Sequence, residues 1–520
     1  MSNHVSPAGT RGPRVRLAAS LALLTLATPL ASMAQDWPMW GGAPNRNMVA
    51  KASGIPDDVS SGKFLPKSET IDPKSTKNVR WVAKLGSQSY GTPIVAGGRV
   101  YVGTNNETPR DPKQKGDRGV LMCFDEKTGE LLWQLVVPKL GTGKVSDWEF
   151  VGICSSAAIE GERGYVVTNR GDVICFDVKG LADGNEGPFK DEAKFSSVDG
   201  KPVEVGDKSA DIIWVADIRT ELGIFPHNIS SCSPLVVGDR LYLATSNGVD
   251  WSHLNIPAPF APSLAVLNKN TGEIVGEEIS EVSKRILHAS WSSPSFTTVK
   301  GKPMIVWGGG DGFAYGYDPV PFKKDDFFAL KEFFRYDANP PEYREKDGVK
   351  LKYATHGGPS EIVATVVSQG DRAYMVIGQD PEHGDGVGML SCIDLSGTGD
   401  ITGKPIWTFK GIGRSISTPS IDGDLIYQAE YAGQIHCIDA KTGKQVWVHE
   451  TNSRIWSSTL VADGKVYCGN EDGEVVILKA GREKQLIGKI EFFTPVYCSP
   501  VVANNTLYVA TLTHLFAIGK

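Results

Sequence analysis

Short apolar stretches separated by turn residues follow one another along the chain from about residue 79 to the end. Residues 415–447 show the pattern most simply, with Asp422 and Gly423 between the first two stretches and Gly443 in the turn between the last two. An Asp-Gly pair between apolar stretches is typical of a β-hairpin. No long segment with the 3.6-residue period of an amphipathic helix lies between these units. The pattern therefore predicts antiparallel strands in groups of four.

The four-strand unit recurs eight times, which indicates a repeat architecture. Residues 121–133 and 435–447 carry Cys, Asp, Lys, Thr, Gly and Trp at the same offsets. Seven units share one Tyr position, and the eighth, near Pro294, has Trp307 instead: Tyr101, Tyr165, Tyr242, Tyr374, Tyr427, Tyr467 and Tyr508. All eight units share a Ser or Thr position: Thr92, Ser156, Ser233, Ser293, Thr365, Thr418, Ser458 and Ser499. We therefore predict an all-β fold, an eight-bladed β-propeller with one unit per blade.

The last unit lacks a fourth strand, and an unassigned apolar stretch at residues 79–85 precedes the first unit. We expect this N-terminal strand to complete the last blade and close the ring, because closure removes exposed sheet edges. The propeller then spans residues 79–520. Residues 35–78 are rich in Pro, Ser and Lys, and we expect them to form an arm over the propeller, with Trp37 and Trp40 as anchoring points.

The first 34 residues differ in kind from the rest. Arg11, Arg14 and Arg16 precede an apolar stretch that ends in Ser-Met-Ala at 32–34, which is typical of a secretory signal peptide. A retained membrane anchor is the alternative, but the apolar stretch is short and interrupted by Pro29. No other segment approaches the ~20 apolar residues of a spanning helix. We expect an exported protein, periplasmic or secreted, without a transmembrane segment after cleavage.

Net charge narrows the classes of expected partner, and the placement of the cysteines indicates their structural role. Cleavage after Ala34 removes three Arg and no carboxylate, which takes the formal net charge from −6 to −9. An acidic protein is a poor match for phosphate backbones, so we expect no nucleic-acid partner. Seven of the eight cysteines occupy recurring strand positions, and the sequence has no CxxC motif or adjacent pair. They are expected to be small buried residues, and the protein is expected to be a monomer.

The Ser/Thr-Pro start of the units, the Asp-x-x-Thr-Gly turn and the fourth-strand Trp resemble the repeat of pyrroloquinoline quinone (PQQ)-like propellers, over about residues 79–520. That repeat occurs in quinoprotein alcohol dehydrogenases, which bind the quinone and Ca²⁺ on the propeller axis. It also occurs in the propeller lipoprotein of the outer-membrane β-barrel assembly machinery, which has no cofactor. The stretches 36–49 and 225–250 look like a subgroup of exported PQQ-like repeat proteins. The resemblance implies the fold and leaves the function open.

Insertions and unusual side chains gather on one face of the predicted ring. Long loops between second and third strands occupy residues 104–118, 246–262 and 378–388. In a propeller these loops share a face with the connections that enter the inner strands, and loops on a rigid scaffold commonly carry binding. We predict a ligand pocket at this mouth of the channel, formed by Tyr90, Glu149, His227, Trp291, His356, Arg414, Arg454 and Trp456.

Charged and metal-ligating residues at the mouth allow more than one interpretation. Arg414 and Arg454 come from neighbouring blades and suit a carboxylate ligand; pairing with Glu149, Glu361 or another wall carboxylate is the alternative. Three histidines are candidate metal ligands, but their spacing matches no standard pattern, so structural or solvent-facing roles stay open: His227, His288 and His356. Three acidic loop residues are candidate Ca²⁺ ligands, with an ordinary acidic loop as the alternative: Asp380, Glu382 and Asp385.

Two functional hypotheses follow. The first is a non-catalytic binding or scaffold protein that holds a protein or carbohydrate partner on the loop-rich face and needs no cofactor. The second is a dehydrogenase that depends on PQQ and calcium, in which Trp291, Trp456 and Arg414 would contact the quinone. The vicinal disulfide typical of such dehydrogenases and a haem motif are absent from the sequence, and no acidic residues can be assigned to the calcium site. These differences favour the first hypothesis.

Overall fold

The computed structural model describes residues 1–3, 35–383 and 386–520. The predicted signal peptide therefore lies, apart from its first three residues, outside the described part of the chain. The chain divides into the unit Met1–Met33 and the unit Ala34–Lys520, and the second unit contains every strand of the propeller. No helix among the described residues is long and apolar enough to span a membrane.

Eight antiparallel sheets follow one another along the chain, which confirms the predicted eight-bladed β-propeller. Blade 1 consists of Ile94–Ala96, Arg99–Asn105, Arg118–Asp125 and Leu131–Pro138. Blade 2 consists of Ala158–Glu160, Arg163–Val167, Asp172–Asp177 and Asp211–Asp217. Blade 3 consists of Leu235–Val237, Arg240–Ala244, Leu264–Asn268 and Ile274–Glu277. Blade 4 consists of Ser295–Val299, Lys302–Gly308, Phe313–Tyr317 and Glu332–Asp337.

The second half of the ring repeats this order. Blade 5 consists of Val367–Gln369, Arg372–Ile377, Met389–Asp394 and Trp407–Phe409. Blade 6 consists of Ser420–Asp422, Leu425–Ala429, Gln434–Asp439 and Gln445–Glu450. Blade 7 consists of Leu460–Ala462, Lys465–Gly469, Glu474–Lys479 and Leu486–Glu491. Blade 8 consists of Val501–Ala503, Thr506–Ala510, His514–Ile518 and Val79–Lys84.

Short additional elements decorate the ring. The remaining strands are Val49–Ala50, Phe322–Lys324, Phe327–Ala329, Glu345–Lys346, Val349–Lys350 and Gly399–Asp400. The α-helices are Glu192–Phe195, Ile218–Leu222 and Pro341–Arg344. The 3₁₀-helices are Pro73–Ser75, Gly143–Val145, Gly180–Asp183 and Val282–Arg285. Val49–Ala50 and Pro73–Ser75 belong to the arm, and the other elements lie in connections between strands. Four of the short strands extend blade sheets at their edges: Val49–Ala50 in blade 7, Phe322–Lys324 and Phe327–Ala329 in blade 3, and Gly399–Asp400 in blade 4.

Blade 8 takes its strands from two distant parts of the chain. Val79–Lys84 pairs antiparallel with His514–Ile518, with Trp81 opposite Ala517. The indole nitrogen of Trp81 donates a hydrogen bond of 2.9 Å to the carbonyl of Glu126 in blade 1. The N-terminal strand thus belongs to the last sheet and contacts the first.

The repeated Trp and Gly residues join each blade to its neighbour. In blade 5, the rings of Tyr374 and Trp407 lie 6.0 Å apart. Trp407 Nε1 donates to the carbonyl of Ala440 in blade 6 at 3.1 Å, and a Cβ atom at Gly443 would lie 2.6 Å from the Trp407 ring. The same hydrogen bond to the next blade is made by Trp81, Trp133, Trp214 and Trp447. The turn of one blade and the Trp of the preceding blade therefore contact each other at the boundary between the two blades.

The repeated Ser and Thr residues link the inner strands around the axis. The backbone N–H of Ser458 donates to Ser499 Oγ at 2.8 Å, and the backbone N–H of Ser499 donates to Thr92 Oγ1 at 3.1 Å. The same bond joins further neighbours, Ser156 to Ser233, Ser233 to Ser293, Thr365 to Thr418 and Thr418 to Ser458. A small side chain fits the crowded axis, and its oxygen satisfies a buried backbone donor of the adjacent blade.

Residues 35–50 of the predicted arm close one end of the channel. We call this end the base, where the inner strands finish, and the opposite end the mouth. Backbone hydrogen bonds tie the segment to inner strands of several blades, including Trp37 to Val95 in blade 1 and Val461 in blade 7 to Met48. Arg46 is fully buried and donates to the carbonyls of Trp40, Pro234 and Pro294. The first part of the arm thus lies against the inner strands at the base of the channel.

Candidate functional site

The mouth of the channel contains a cavity of about 320 Å³. Its aromatic walls come from four connections: Tyr90, Trp148, Trp291 and Trp456. Asp380 and Glu382 add two carboxylates. A second cavity of about 210 Å³ lies deeper in the channel and is lined by the inner-strand Ser and Thr residues and by Trp40 of the arm. Because the arm crosses the base, a ligand reaches these cavities from the mouth.

A larger cavity of about 630 Å³ lies away from the axis, between the loop at 110–114 and the linker at 192–212. Charged residues of both signs line it, among them Arg110, Lys113, Glu192 and Glu204. Lys113 and Glu204 pair with each other at 2.7 Å and are largely exposed. The aromatic side chains converge on the mouth and not on this solvated groove, so the mouth is the better candidate site.

The aromatic residues of the mouth contact one another across three blades. The rings of Tyr90 and Tyr497 stack with centroids 5.4 Å apart, and Trp456 lies 5.0 Å from Tyr497. Tyr431 meets Trp456 edge-on at 5.9 Å. The indole nitrogen of Trp456 is buried and has no hydrogen-bond partner among the described residues. A buried Trp N–H usually has a partner, so this donor is available to a ligand.

Arg414 and Arg454 converge on Tyr431 and do not line the cavity. Their guanidinium carbons lie 4.4 and 5.5 Å from the Tyr431 ring. Arg414 donates hydrogen bonds to the carbonyls of the acidic loop at 380–383. Arg454 is 62% exposed and lies 3.9 Å from a carboxylate oxygen of Glu471. Arg414 thus holds the loop whose residues Asp380 and Glu382 line the cavity, although Arg414 itself does not line it.

The predicted pocket residues fall into three groups in the structure. Tyr90, Trp291 and Trp456 line the mouth cavity. His227 is buried behind its wall, next to Asn228, which lines the cavity. The other four lie outside the wall: Glu149, His356, Arg414 and Arg454. Glu149 and His356 are exposed to solvent, because the connections that carry them run along the rim.

Four histidines meet beside the mouth cavity: His227, His253, His288 and His383. Their ring centroids lie between 4.4 and 5.1 Å apart for the pairs in contact. His227 and His288 were candidate metal ligands together with His356, with structural or solvent-facing roles as the alternative. The structure brings His227 and His288 together and places His253 and His383 beside them. These two lie in the long loops at 246–262 and 378–388. The signal in the sequence was therefore the histidine that each of these two loops carries.

Burial sets the protonation of this cluster. Burial, reinforced by His288, lowers the pKa of His227 to about 3, and burial lowers the pKa of His288 to about 4. The hydrogen bond that His383 donates to Asp380 raises the pKa of His383, and against the effect of burial the same bond lowers the pKa of Asp380. Burial holds the pKa of Glu361 well above its usual range. His227 and His288 are therefore neutral at neutral pH.

The acidic loop behaves differently from the predicted calcium site. Asp380 Oδ1 lies 3.3 Å from His383 Nδ1 and also accepts a 2.7 Å hydrogen bond from the backbone N–H of Glu382. Glu382 is exposed, and Asp385 lies outside the described residues. The Asp380 carboxylate therefore belongs to the histidine cluster.

The mouth cavity does not fit PQQ. The quinone is a planar tricarboxylate, so its site has to supply positive charge. The aromatic walls suit a planar ring, but no Lys or Arg side chain is found among the described residues that line the cavity, and Asp380 and Glu382 are acidic. The charges of the wall thus oppose the charges of the cofactor.

Comparisons with known proteins agree with the repeat. Residues 71–180 and 390–485 match a family model described as outer membrane protein assembly factor BamB. The crystal structure of BamB from Moraxella catarrhalis is similar at 13% identity, covering 84% of this chain and 96% of that chain, with a TM-score of 0.50. A quinohemoprotein alcohol dehydrogenase from Pseudomonas putida is similar at 12% identity, covering 93% and 80%, with a TM-score of 0.55.

No curated protein sequence matches the chain. At identities this low, the structural likeness shows the fold and not the function. The matched segments cover parts of both halves of the ring, and the strand order adds the rest. The chain is therefore an eight-bladed β-propeller built from PQQ-like repeats.

Proposed function

We propose that this protein is a non-catalytic binding propeller that takes a neutral or cationic group of a protein or carbohydrate partner into its mouth cavity. The observation that carries the proposal is the aromatic wall with the buried, unpartnered N–H of Trp456. Aromatic faces pack against the apolar faces of sugars and side chains and attract cations. Asp380 and Glu382 accept hydrogen bonds from hydroxyl or ammonium groups and disfavour anions.

The architecture supports binding by a rigid site. The inner strands are tied together by hydrogen bonds between blades, and the arm blocks the base of the channel. A site on such a scaffold is preorganised, which reduces the entropy lost on binding. We place the protein outside the cytoplasm, on the predicted signal peptide and the likeness to an outer membrane assembly factor. A scaffold role in assembling other exported proteins is the protein-partner form of this proposal.

The test is calorimetric titration of the mature chain, residues 35–520, with three probes of different charge: cellobiose, tetramethylammonium and citrate. We expect binding of the neutral or the cationic probe and none of citrate. Trp456→Ala should weaken binding roughly tenfold or more, through lost stacking and hydrogen bonding. Trp456→Phe keeps a ring without the N–H donor and should weaken binding roughly threefold to tenfold.

Trp251→Phe is the matched control, since Trp251 is 56% exposed on a loop away from the cavity wall. This variant should bind as the unmodified protein does. Preferential binding of citrate, or equal binding by the Trp456→Ala variant, would contradict the proposal.

A quinoprotein dehydrogenase is the second candidate, because Trp291 and Trp456 both face the cavity and offer two aromatic surfaces to a planar ring. The acidic wall argues against it. Titration of the mature protein with PQQ and Ca²⁺ decides between the two. Micromolar or tighter uptake that Arg414→Ala weakens would replace our proposal, whereas no heat and no spectral change would exclude the quinone.

A further inference from the structure

The geometry of the histidine cluster points to a metal centre: we propose that His227, His253, His288 and His383 bind one divalent transition-metal ion, Zn²⁺ or Cu²⁺, beside the mouth cavity. Imidazole is a preferred ligand of both ions. The ligand atoms of His227, His253 and His288 lie within 4.8 Å of one another, and so do those of His288, Asp380 and His383. His288 belongs to both sets, and the ring of His383 lies 4.4 Å from that of His253 and 4.7 Å from that of His288.

Two of the rings already hold a nitrogen atom each at hydrogen-bond distance from the other, with His227 Nε2 as the acceptor. His227 Nδ1 lies 2.6 Å from the carbonyl of Val249, so Nδ1 carries the proton and Nε2 is the free ligand atom. His227 Nε2 lies 2.8 Å from His288 Nε2. In a tetrahedral site with bonds of ~2.0–2.1 Å, two ligand nitrogens stand roughly 3.3 Å apart. A metal ion needs only a small separation of these two rings.

The outer side of His288 has the surroundings of a metal ligand. His288 Nδ1 lies 3.8 Å from Glu361 Oε1 and 3.4 Å from the hydroxyl of Tyr353. Ligating histidines typically donate their second N–H to a carboxylate or a carbonyl, which fixes the ring and its tautomer. His227 has this arrangement through the carbonyl of Val249, and His288 has a carboxylate near its outer nitrogen, beyond hydrogen-bond distance.

His253 supplies an observation independent of the other rings. Its Nε2 atom is buried and has no hydrogen-bond partner among the described residues. Its backbone adopts the left-handed conformation, with φ of +58°, which is strained for a residue with a side chain. The loop therefore holds an unpaired imidazole nitrogen in the cluster, which a metal ion would satisfy.

Two acidic side chains lie beside the cluster. Glu361 is fully buried, and in the described part of the chain its side-chain contacts are the N–H of Ala289, the hydroxyl of Tyr353 and the ring of His288. A carboxylate oxygen of Asp380 lies within 4.8 Å of ring nitrogens of His288 and His383. Carboxylates beside ligating histidines are a common feature of metal sites.

The experiment uses the mature chain after treatment with a chelator, titrated by calorimetry with Zn²⁺, Cu²⁺ and Ca²⁺. We expect one equivalent of Zn²⁺ or Cu²⁺ with micromolar or tighter affinity, and no comparable uptake of Ca²⁺, which prefers oxygen ligands. The electron paramagnetic resonance spectrum of the Cu²⁺ form should show coupling to several nitrogen nuclei. His288→Gln and His253→Gln should each weaken binding roughly 100-fold or more.

Two histidines outside the cluster provide matched controls. His356→Gln changes an exposed histidine of the neighbouring connection, and His449→Gln changes one on the fourth strand of blade 6. Both variants should keep the affinity of the unmodified chain. Circular dichroism and thermal unfolding in chelator show whether each variant is folded, and His253→Gln is the safer variant because His253 lies in a loop.

Several outcomes would overturn the metal centre. They are the absence of Zn²⁺ and Cu²⁺ binding by folded protein, unchanged affinity in the His253→Gln variant, a Cu²⁺ spectrum without nitrogen coupling, or loss of binding in the His356→Gln variant. The metal centre does not depend on the proposed ligand at the mouth. Trp456→Ala should leave the metal titration unchanged while it weakens the organic probes, so failure of one proposal is distinguishable from failure of the other.

Discussion

Gly443 shows how a single position of the repeat is determined by the neighbouring blade. Its φ is +70°, and a Cβ atom there would lie 2.6 Å from the Trp407 ring. Gly464 has a nearly equal φ of +69° but open space around it. Any side chain is strained at both positions, whereas only Gly443 also faces a clash. Comparing substitutions at the two glycines therefore separates the energetic cost of backbone strain from the cost of a clash with the neighbouring blade.

We predict that Gly443→Ala lowers the free energy of unfolding by about 3 kcal/mol, combining left-handed strain with overpacking. Gly464→Ala should lower it by ~1 kcal/mol, from strain alone. Urea unfolding followed by Trp fluorescence measures both. Equal losses in the two variants would show that the contact between Trp407 and Gly443 adds nothing to stability.

Glu278 makes stability depend on pH. It is buried and accepts hydrogen bonds from the backbone N–H groups of Ser263 and Ser280. Burial raises its pKa from the ordinary 4.5 to about 7. The folded protein therefore binds this proton more tightly than the unfolded chain does. The stabilising contribution is complete below about pH 4.5 and is lost as the pH rises through about 7.

We predict that Glu278→Gln flattens the decline in the free energy of unfolding between about pH 5 and pH 8 by on the order of 3 kcal/mol. Glu273→Gln, at an exposed turn of the same blade, is the control and should keep the slope of the unmodified protein. Urea unfolding at several pH values provides the measurement. An unchanged slope in the Glu278 variant would contradict the assignment.

The location of a residue in the fold was easier to predict at positions that recur in every unit than at positions that occur once. Tyr90, Trp291 and Trp456 occupy equivalent inner-strand positions, so the repeat itself placed them near the axis. His253 and His383 lie in long loops, and the path of a loop is not determined by strand periodicity. The sequence therefore predicted the location of the candidate site but only part of its chemistry.

Among the elements, the strand Val79–Lys84 is the most informative, because its hydrogen-bonding partner His514–Ile518 lies at the other end of the propeller. Without it, His514–Ile518 would be an exposed edge, which invites association between chains. The missing fourth strand of the last unit was visible in the sequence because seven complete units defined what was absent.

We predict different behaviour for two truncated chains that both lack the arm. A chain beginning at residue 79 keeps the strand and should stay soluble with a cooperative thermal transition. A chain beginning at residue 86 lacks it and should aggregate, because the edge of blade 8 is exposed. Light scattering and thermal unfolding distinguish them. A soluble, cooperative chain from residue 86 would refute closure of the ring.

The arm is an element whose role the sequence did not reveal. Trp37 and Trp40, which were expected to anchor it, contact blades 1 and 5. Arg46, which was not expected, donates to carbonyls at the start of two inner strands. Arg46 has no periodic counterpart, and a buried guanidinium that contacts only carbonyls leaves no signal in the sequence. Its fork of donors suits several carbonyl acceptors.

We predict that Arg46→Leu lowers the free energy of unfolding by about 3 kcal/mol or more, because the carbonyls of Trp40, Pro234 and Pro294 lose their donor. Lys51→Leu changes an exposed cation of the same arm and should have little effect. The midpoint of urea unfolding measures both variants. Similar midpoints would show that the arm does not stabilise the ring.

At the scale of the whole molecule, the fold was predictable because similar residues recur at equivalent positions of eight successive units. All eight units share the inner-strand hydroxyl, and five blades share the Tyr–Trp pair, so a unit that departs from the pattern can be aligned through the others. The ligand is not predictable in this way, since it is recognised by residues that occur once.

The strand that completes blade 8 should also function when it is attached to the other end of the chain. Val79 pairs with Ile518, so residues 78–85 placed after Lys520 would continue His514–Ile518 as a hairpin. We predict that adding this segment to the end of the chain that begins at residue 86 restores solubility and cooperative unfolding. A scrambled segment of the same composition is the control. Failure of the native segment to restore folding, with strand and sheet otherwise intact, would contradict the pairing.

The shared blade also constrains how the protein is made. Synthesis delivers residues 79–84 before the other strands of the propeller and residues 514–518 after seven other blades, so this strand has no partner until the last blade is made. The blades between can form in turn, but the circle is completed only when both strands are present. A protein of this design completes its ring late, after residues 79–518 have all been delivered to one compartment.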